Sequence, residues 1–514
     1  FPFILINRVR TIYCALELAG VRRMSEESGK DCRPQEAAVE KLFNDGLHAM
    51  KEFNPDADPS YRGGVALEYH NKLSVEETGL LPLMLSTKTS VKKICIWQMP
   101  LSAFRAAFDK LQDWGSLEEL QIRHIDCDVE DFDIDLSGAF KKLRVLDLHC
   151  EKMSSSFAVY IANCLRESGS LQEFSLWYAC GGDEGAALMA DALKVNNTLK
   201  KFTLAQLTLT SQTLIAFAEA LVVNTTLEMV DLFDTCPIDK EQVSFLFEKD
   251  LYADVFKRIR ILWQQDVLPE LIRLLREDRH CSELSVSVTP SVDKDILREF
   301  FDAVASNTTL RLLHFYPSDS CFEELADGIA YVTERTVTLK EIQNLMHVAT
   351  GSEQQLVRML EALKVNRSVV NFTTYSKLLT PEIATSLSEL LTVNDSLTDV
   401  SVCEYWGIRP EEVETILGGL RKNYTLTRIM VSWDGNDEAQ KALDEMEQLL
   451  KRNARLLDQA AKFVTGDCND TEAADAFNKL RSSASLVNRL KELTGKTAEA
   501  VLCDLEAALA KLSV

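Results

Sequence analysis

The chain has 514 residues, of which 46% are apolar and 26% charged, and its 79 acidic and 56 basic residues give a net charge of −23. This composition is typical of a globular protein and excludes global disorder and collagen-like sequence. An acidic surface repels phosphate backbones, so we expect no nucleic-acid partner. No stretch reaches the roughly 20 apolar residues of a transmembrane helix, so we expect no membrane insertion.

The thirteen cysteines are odd in number and include no C-x-x-C pair. This spacing does not suggest a disulfide framework, and we interpret the cysteines as reduced thiols that pack as small hydrophobic groups. We therefore expect a cytoplasmic protein. The sequence begins at Phe1 without methionine, which we interpret as a fragment or an incomplete gene model; an upstream domain or signal peptide is left open.

Residues 1–90 lack the repeat that dominates the rest of the chain. The segment PQEAAVEKLFNDGLHAMKEF from Pro34 predicts one amphipathic helix, and the Pro, Asp and Gly residues after Phe53 predict a loop. Because the end of a solenoid exposes its core, we predict a mainly helical N-terminal cap. A remnant of an upstream domain is the alternative.

From Val91 onward, one apolar pattern recurs about every 28 residues, for example as NNTLKKFTL from Asn196 and NTTLRLLHF from Asn307. In thirteen aligned copies, apolar residues fill 37 of the 39 positions at offsets 0, +3 and +5, and the exceptions are Asn344 and Thr374. This periodicity predicts a solenoid of about 13 repeats over residues 91–433. The copies begin at Val91, Leu117, Leu143, Leu171, Leu199, Leu227, Phe256, Cys281, Leu310, Leu339, Val369, Leu397 and Leu426.

Each copy predicts a strand followed by a loop, a helix and a turn. Offsets +3 and +5 share one face of a strand, and segments such as QTLIAFAEALVVN from Gln212 carry apolar residues at helical spacing. Each such helix ends on Asn, which we expect to adopt the left-handed C-cap conformation. Since helices are wider than strands, stacked units should form a right-handed α/β solenoid with a parallel concave sheet and convex helices.

The L-x-x-L-x-L pattern resembles the leucine-rich repeat family. Its 28–29-residue period with a full helix resembles the ribonuclease-inhibitor subtype, found also in NLR immune receptors and Ran GTPase-activating protein, and GDEGAALMADALKVNNTLKKFTL from Gly182 is similar to NLR repeats. The resemblance implies ligand recognition without the NACHT ATPase module of NLR proteins. The family often places Asn or Cys three residues after the last strand leucine, but Ile125, Leu207 and Thr235 occupy that position here, so we expect no asparagine ladder there.

Offsets +2, +4 and +6 should face away from the helices, on the concave side. Five of the thirteen residues at offset +6 are aromatic, against 8% in the whole chain. Aromatic residues beside charges are typical of protein-recognition surfaces, although aromatic side chains at a strand end could instead fold over the loop core. The candidate protein-binding residues are Trp97, Arg123, His149, Trp177, Phe233, Arg260, His314, Tyr316 and Tyr375.

Residues 434–514 show helical periodicity throughout, interrupted at Gly466-Asp467, and predict a helical C-terminal domain packed on the last repeat.

We expect no catalytic residue, no cofactor and no metal site. His149 and Cys150 are neighbours on a strand and should point to opposite faces. The acidic loop 126–135 fails the EF-hand pattern because Leu136 stands where Gly is required; whether it binds a cation or a basic partner is left open. Sequons at Asn196, Asn224, Asn307, Asn366, Asn394 and Asn423 are expected to be unmodified by-products of the repeat.

The sequence thus favours a non-enzymatic scaffold or ligand-recognition protein that binds a protein partner through the concave face, with innate-immune-type signalling as the setting that the resemblance suggests. One alternative is a GTPase-activating protein of the Ran GTPase-activating type, although residues 434–514 lack the acidic run of that family. The other is a substrate receptor of a ubiquitin ligase. Partner identity, pathway and oligomeric state are left open.

Overall fold

The structure is a computed structural model. It describes residues 38–45, 65–69, 77, 80, 81, 84, 88, 91–100, 117–126, 136–150, 155–177, 181–205, 209–232, 238–316, 321–348, 353–376, 379–403, 409–430, 437–466 and 470–512. Residues 38–45 are helical, as predicted from Pro34. The predicted loop after Phe53 and the acidic loop 127–135 lie outside the described residues.

The strands follow one another as the repeat predicts. They are β1 (Val65–Tyr69), β2 (Val91–Ile96), β3 (Met99–Pro100), β4 (Glu119–Asp126), β5 (Val145–Cys150), β6 (Glu173–Trp177), β7 (Lys201–Ala205), β8 (Met229–Asp231), β9 (Ile259–Arg260), β10 (Leu262–Gln264), β11 (Glu283–Ser287), β12 (Leu312–Phe315), β13 (Glu341–Val348), β14 (Asn371–Ser376), β15 (Asp399–Cys403) and β16 (Arg428–Met430).

Helices alternate with these strands from β5 onward, and short 3-10 turns join some of them. The helices are α1 (Ser137–Lys142), α2 (Ser155–Glu167), α3 (Gly182–Leu193), α4 (Ser211–Val223), α5 (Lys240–Glu248), α6 (Leu268–Arg276), α7 (Lys294–Ser306), α8 (Glu323–Arg335), α9 (Glu353–Val365), α10 (Pro381–Val393), α11 (Pro410–Leu420), α12 (Asp437–Thr465), α13 (Thr471–Leu480), α14 (Ala484–Thr494) and α15 (Ala498–Leu512).

Every strand pair in the described residues is parallel, which confirms the α/β repeat solenoid. The predicted phase is also confirmed, because the residues at offsets 0, +3 and +5 of the first twelve copies are all buried against the helices. The polar exceptions Asn344 and Thr374 are fully buried too, and Asn344 Nδ2 donates a 3.3 Å hydrogen bond to Thr374 Oγ1. One hydrophobic core runs from Val39 to Met446.

The sheet begins one strand earlier than predicted. Strand β1 pairs with β2, so that Leu67 lies beside Ile94 and Tyr69 beside Ile96. Leu67 and Tyr69 are buried and occupy the equivalents of offsets +3 and +5. The boundary expected between residues 90 and 91 therefore falls inside the sheet. This copy has Gly64 at offset 0, which hides it from a pattern keyed on an apolar residue.

The asparagines that end the helices form a ladder that joins neighbouring repeats. Asn224 Nδ2 donates to the carbonyl oxygens of Leu193 (2.6 Å) and Asn196 (2.9 Å), and Asn224 Oδ1 accepts from the amides of Thr226 and Leu227, both at 2.8 Å. The same arrangement satisfies the carbonyls left open at each helix end. The ladder residues are Asn196, Asn224, Asn307, Asn366, Asn394 and Asn423, and all are buried.

The prediction that these asparagines adopt the left-handed C-cap conformation is wrong. Asn224 has φ −82° and ψ 116°, and Asn394 has φ −90° and ψ 131°, both extended. The chain must turn directly into the next strand, and the amide reaches the previous repeat only from this conformation. A glycan on Nδ2 would break that bond, so the ladder explains in physical terms why these sequons are by-products of the repeat.

The sheet is interrupted in the repeat that begins at Phe256. Strand β9 pairs with β8, but the next strand, β10, pairs with β11 in a register two residues further along. The structure therefore has a nine-stranded and a seven-stranded sheet where the sequence predicts one. Trp263 fills the additional inward position, is buried, and donates from Nε1 to His280 Nε2 at 3.0 Å.

The C-terminal helices form a second, smaller core. Phe463 of α12 stacks on Phe477 of α13 with ring centroids 5.0 Å apart, within a cluster separate from the main core. The first half of α12 packs on the last repeat through Met446, and just past the middle of the helix Asn453 Nδ2 donates to Leu426 O at 2.8 Å and so continues the ladder. The predicted packing of helices on the last repeat is thus observed.

Candidate protein-binding face

The helix-free face consists of the strand side chains at offsets +2, +4 and +6. Strand alternation directs them away from the helices that cover offsets +3 and +5. The central row is more enclosed than a flat sheet would allow, since Asp147, Asp231 and His314 are only 7–8% exposed. The inner side of a curved sheet crowds neighbouring side chains in this way. Polar groups on this face are therefore held in fixed positions.

The first cluster on this face comprises Gln121, Arg123, Asp147, His149 and Trp177. Arg123 Nη1 lies 3.2 Å from Asp147 Oδ2, and Arg123 Nη2 donates to Gln121 Oε1 at 3.2 Å. His149 Nε2 lies 3.2 Å from Asp147 Oδ1, without hydrogen-bond geometry. The His149 and Trp177 rings stack with centroids 4.9 Å apart and planes at 21°.

The indole of Trp177 is half-buried, and its Nε1 donor is enclosed without a hydrogen-bond partner in the described part of the chain. The imidazole of His149 stacks on this ring, and Arg123 Nη1 lies 3.4 Å from His149 Nε2 on the same face. Such a ring offers apolar area together with a polar tip, which is the combination favoured at protein interfaces.

The second cluster comprises Asp231, Arg260, Glu283, His314 and Tyr316. Arg260 Nη1 lies 3.3 Å from Asp231 Oδ2 and 2.7 Å from Glu283 Oε2, so it joins β8 to β11 across the interruption of the sheet. His314 packs edge-on against Tyr316, with ring centroids 4.8 Å apart. Burial, and then the charge of Arg260, lower the pKa of His314 to about 4, so its imidazole is neutral at neutral pH.

The structure thus brings together six of the nine residues predicted from the sequence, in two groups of three. Trp97 is half-exposed at the end of β2, on the repeat next to that of Arg123. Phe233 and the side chain of Tyr375 lie outside the described residues. The sequence prediction did not include the partners of the two arginines: Gln121, Asp147, Asp231 and Glu283. Opposite charges at the same offset of neighbouring repeats are a signal that could have identified Asp231, which shares offset +4 with Arg260.

No cluster of three or more metal-binding side chains occurs in the residues that the structure describes. Among the described cysteines, Cys95, Cys164, Cys281 and Cys321 are buried and Cys503 is exposed. Among the described helices, none has the length and apolar character needed to cross a membrane.

No protein-family model matches the sequence, and no curated protein matches it. The solved structures to which it is similar include the tropomodulin C-terminal domain of Caenorhabditis elegans, with 15% identity and a TM-score of 0.24 over 37% of this chain and 93% of that one. Actin-binding site 2 of leiomodin-1 gives 16% and 0.25 over 38% and 92%. A chain of the Rad7 and Elc1 complex in yeast gives 15% and 0.43 over 78% and 90%. Identities and TM-scores this low establish neither a common family nor a common function.

Proposed function

We propose that this protein is a non-enzymatic scaffold that binds a protein partner on its helix-free face. The observation that carries the proposal is the first cluster, in which a half-buried Trp177 stacks on His149 beside the ion pair of Arg123 and Asp147. Preorganised aromatic side chains lose little freedom on binding, so more of their contact energy becomes affinity. Fixed charges beside them select the partner.

The distance between the two clusters indicates how long a partner segment must be to contact both. Trp177 in β6 and Tyr316, directly after β12, are separated by five inter-strand spacings, roughly 24 Å along the sheet at about 4.8 Å each. An extended segment of about seven residues, at ~3.4 Å per residue, spans that distance. One partner segment lying across the strands could therefore contact both clusters.

We propose further that the solenoid belongs to the ribonuclease-inhibitor subtype and that it works in the cytoplasm. The supporting features are the 28–29-residue spacing and the 12- and 13-residue helices in most repeats from α2 onward. Ligand recognition of the innate-immune type is the setting that the similarity to NLR repeats suggests.

We favour binding over GTPase activation because the arginines of this face are already engaged in ion pairs. Arg123 and Arg260 are engaged by carboxylates on the same face. An arginine that stabilises the transition state of GTP hydrolysis must instead be free to enter the nucleotide site.

The test compares three alanine variants. Trp177→Ala and Tyr316→Ala should each weaken binding by about 2 kcal/mol, or roughly 30-fold in Kd. Tyr331→Ala is the matched control, because Tyr331 lies on α8, on the opposite side of the sheet, where it bonds Asp302. Partners are captured from cell extract by the wild-type chain, identified by mass spectrometry, purified, and titrated against each variant.

Loss of affinity in both test variants at unchanged Tm, with the control unaffected, supports the proposal. Equal affinity of all three variants for every captured partner contradicts it.

A further inference from the structure

The C-terminal helix α14 meets the solenoid at the edge where the strands begin. Ser485 Oγ donates to Asp395 O at 2.9 Å. A second contact runs from Lys340, just before β13, whose Nζ donates to Asn488 Oδ1 of α14 and to Ser368 O, both at 3.2 Å. We call this region, which comprises Lys340 and Asn488 with the nearby cations Arg311 and Lys491, the seam; Arg311 Nη1 also donates to Thr308 O at 3.2 Å and to Leu310 O at 3.0 Å.

Two like charges lie side by side on the solenoid part of the seam. Arg311 and Lys340 occupy offset +1 of neighbouring repeats, and the amide of Lys340 donates to Arg311 O at 2.7 Å. In every other neighbouring pair at this offset in which both residues are charged, the charges are opposite, as in Lys92 and Glu118, whose charged atoms lie 2.7 Å apart. Like charges on neighbouring strands are destabilising. The pair of Arg311 and Lys340 is therefore an exception to the charge pairing seen at this offset.

A third cation comes from α14. Burial, followed by the positive charges of Lys491 and Arg311, lowers the pKa of Lys340. In the described part of the chain, no carboxylate lies within 4 Å of any of these three cations, although the chain as a whole carries a net charge of −23. Lys491 also affects Glu499 at the start of α15, but its charge is the last of the causes that lower the pKa of that carboxyl group. The first cause is the hydrogen bond from the backbone amide of Glu499 itself.

An unused donor lies beside the three cations. An ammonium group can only donate, so the bond from Lys340 fixes the orientation of the Asn488 amide, with Oδ1 toward the lysine. Asn488 Nδ2 is buried and has no hydrogen-bond partner among the described residues. A buried donor without an acceptor costs free energy. The seam thus presents four donor groups from two parts of the protein.

We propose that the seam is a binding site for a phosphate group, held by Arg311, Lys340, Asn488 and Lys491. A tetrahedral dianion has enough acceptor oxygens to bond several donors at once and enough charge to offset three cations, whereas a single carboxylate has only two oxygens. Bound there, it would join α14 to the strand edge of the solenoid. The phosphate could be a free small anion or a phosphate monoester on a protein, since both present the same chemistry.

The experiment titrates the full chain with inorganic phosphate and with O-phosphoserine at constant ionic strength, followed by calorimetry and by Tm. The wild type should bind in a saturable way, and its Tm should rise relative to chloride. Lys491→Gln should weaken binding about tenfold or more, and Lys491→Arg should retain it. Lys479→Gln is the control, because Lys479 is an exposed lysine of α13 outside the seam.

Tighter binding of inorganic phosphate would identify a free anion as the ligand, and tighter binding of phosphoserine would identify a protein-borne phosphate; both outcomes support the site. The absence of saturable binding overturns the proposal. Equal loss of binding in the Lys491→Gln and Lys479→Gln variants overturns it as well, because the anion would then respond only to net charge. Arg311→Gln, on the solenoid side, repeats the test should the α14 variant fold poorly.

Discussion

The asparagine ladder makes a quantitative prediction at Asn196. This side chain donates to Leu165 O at 2.7 Å and accepts from the amides of Thr198 at 3.1 Å and Leu199 at 2.8 Å. Asn196→Ala leaves three backbone groups without partners in a site that is 5% exposed. At roughly 1 kcal/mol per lost bond, and more where a buried group stays unpaired, we expect a loss of about 3 kcal/mol in the free energy of unfolding.

The neighbouring residue supplies a matched control. Asn197 is exposed, so Asn197→Ala removes the same chemical group at a surface position and should change stability by less than about 0.5 kcal/mol. Asn196→Asp should lie between the two, because its carboxylate keeps the accepted bonds but cannot donate to Leu165 O. Urea unfolding compares the three variants.

Native-state hydrogen exchange gives the sharper measurement, because long repeat arrays can unfold in parts and so depart from two-state behaviour. The amides of Thr198 and Leu199 should lose protection in Asn196→Ala and keep it in Asn197→Ala. Equal protection of these amides in both variants would refute the assigned role of the ladder.

Three further predictions concern the core. Gly419→Ala should destabilise the protein by several kcal/mol, because the new Cβ would lie 2.3 Å from a backbone oxygen of α10. Gly418→Ala should be nearly neutral, because the atom nearest to its Cβ would lie 3.9 Å away. Equal Tm values for the two variants would contradict this packing. Leu204→Asp buries an unpaired carboxylate and should cost several kcal/mol, while Lys201→Asp on the exposed face of the same strand should be tolerated. Burial lowers the pKa of His280 from 6.5 to about 4, so His280 should contribute roughly 3 kcal/mol to the loss in the free energy of unfolding as the pH falls from 6.5 to 4. Urea titrations of the wild type and of His280→Gln across this range should show that the variant loses less; an equal loss in both would contradict the assignment, because His314 would then account for the trend.

The strand positions could be predicted because every repeat must bury the same three offsets. The interruption of the sheet could not be predicted from the sequence, for a physical reason. Strand side chains alternate with a period of two, so a register shift of two residues keeps Ile259, Ile261 and Trp263 all on the inner face. The apolar pattern is the same with and without the shift. Only the 25-residue spacing from Phe256 to Cys281, the shortest of the series, marks it.

The role of the ladder asparagines was hidden for a different reason. A helix C-cap depends on local backbone preference, which the sequence shows, but the ladder depends on carbonyl groups about 30 residues away, such as Leu193 O for Asn224. The local motif N-x-[ST]-L carries part of the signal, because its Asn side chain accepts from the amides two and three residues later.

On the helix-free face, the sequence identified which side chains point outward but not which of them meet. The stacking of His149 on Trp177 follows from their common offset on neighbouring strands, which the register places side by side. The bond between Arg123 and Asp147 joins offset +6 to offset +4, and it depends on the length of the arginine side chain, which the pattern does not encode. The inclusion of Phe233 and Tyr375 stays a prediction.

The repeat in which the sheet is interrupted also lacks a ladder asparagine, since Ala253 stands at that position. Where a ladder asparagine is missing, Arg258 Nη1 donates instead to Asn224 O at 2.8 Å and Leu227 O at 3.0 Å. On the other face of the same repeat, Arg260 bonds a carboxylate of each sheet. Arg258 thus holds this repeat to the preceding one, and Arg260 connects the two sheets. The first cluster lies on the nine-stranded sheet and the second cluster spans both sheets. Their relative placement therefore depends on this repeat, and a partner that contacts both would bind to a geometry that Arg260 helps to maintain.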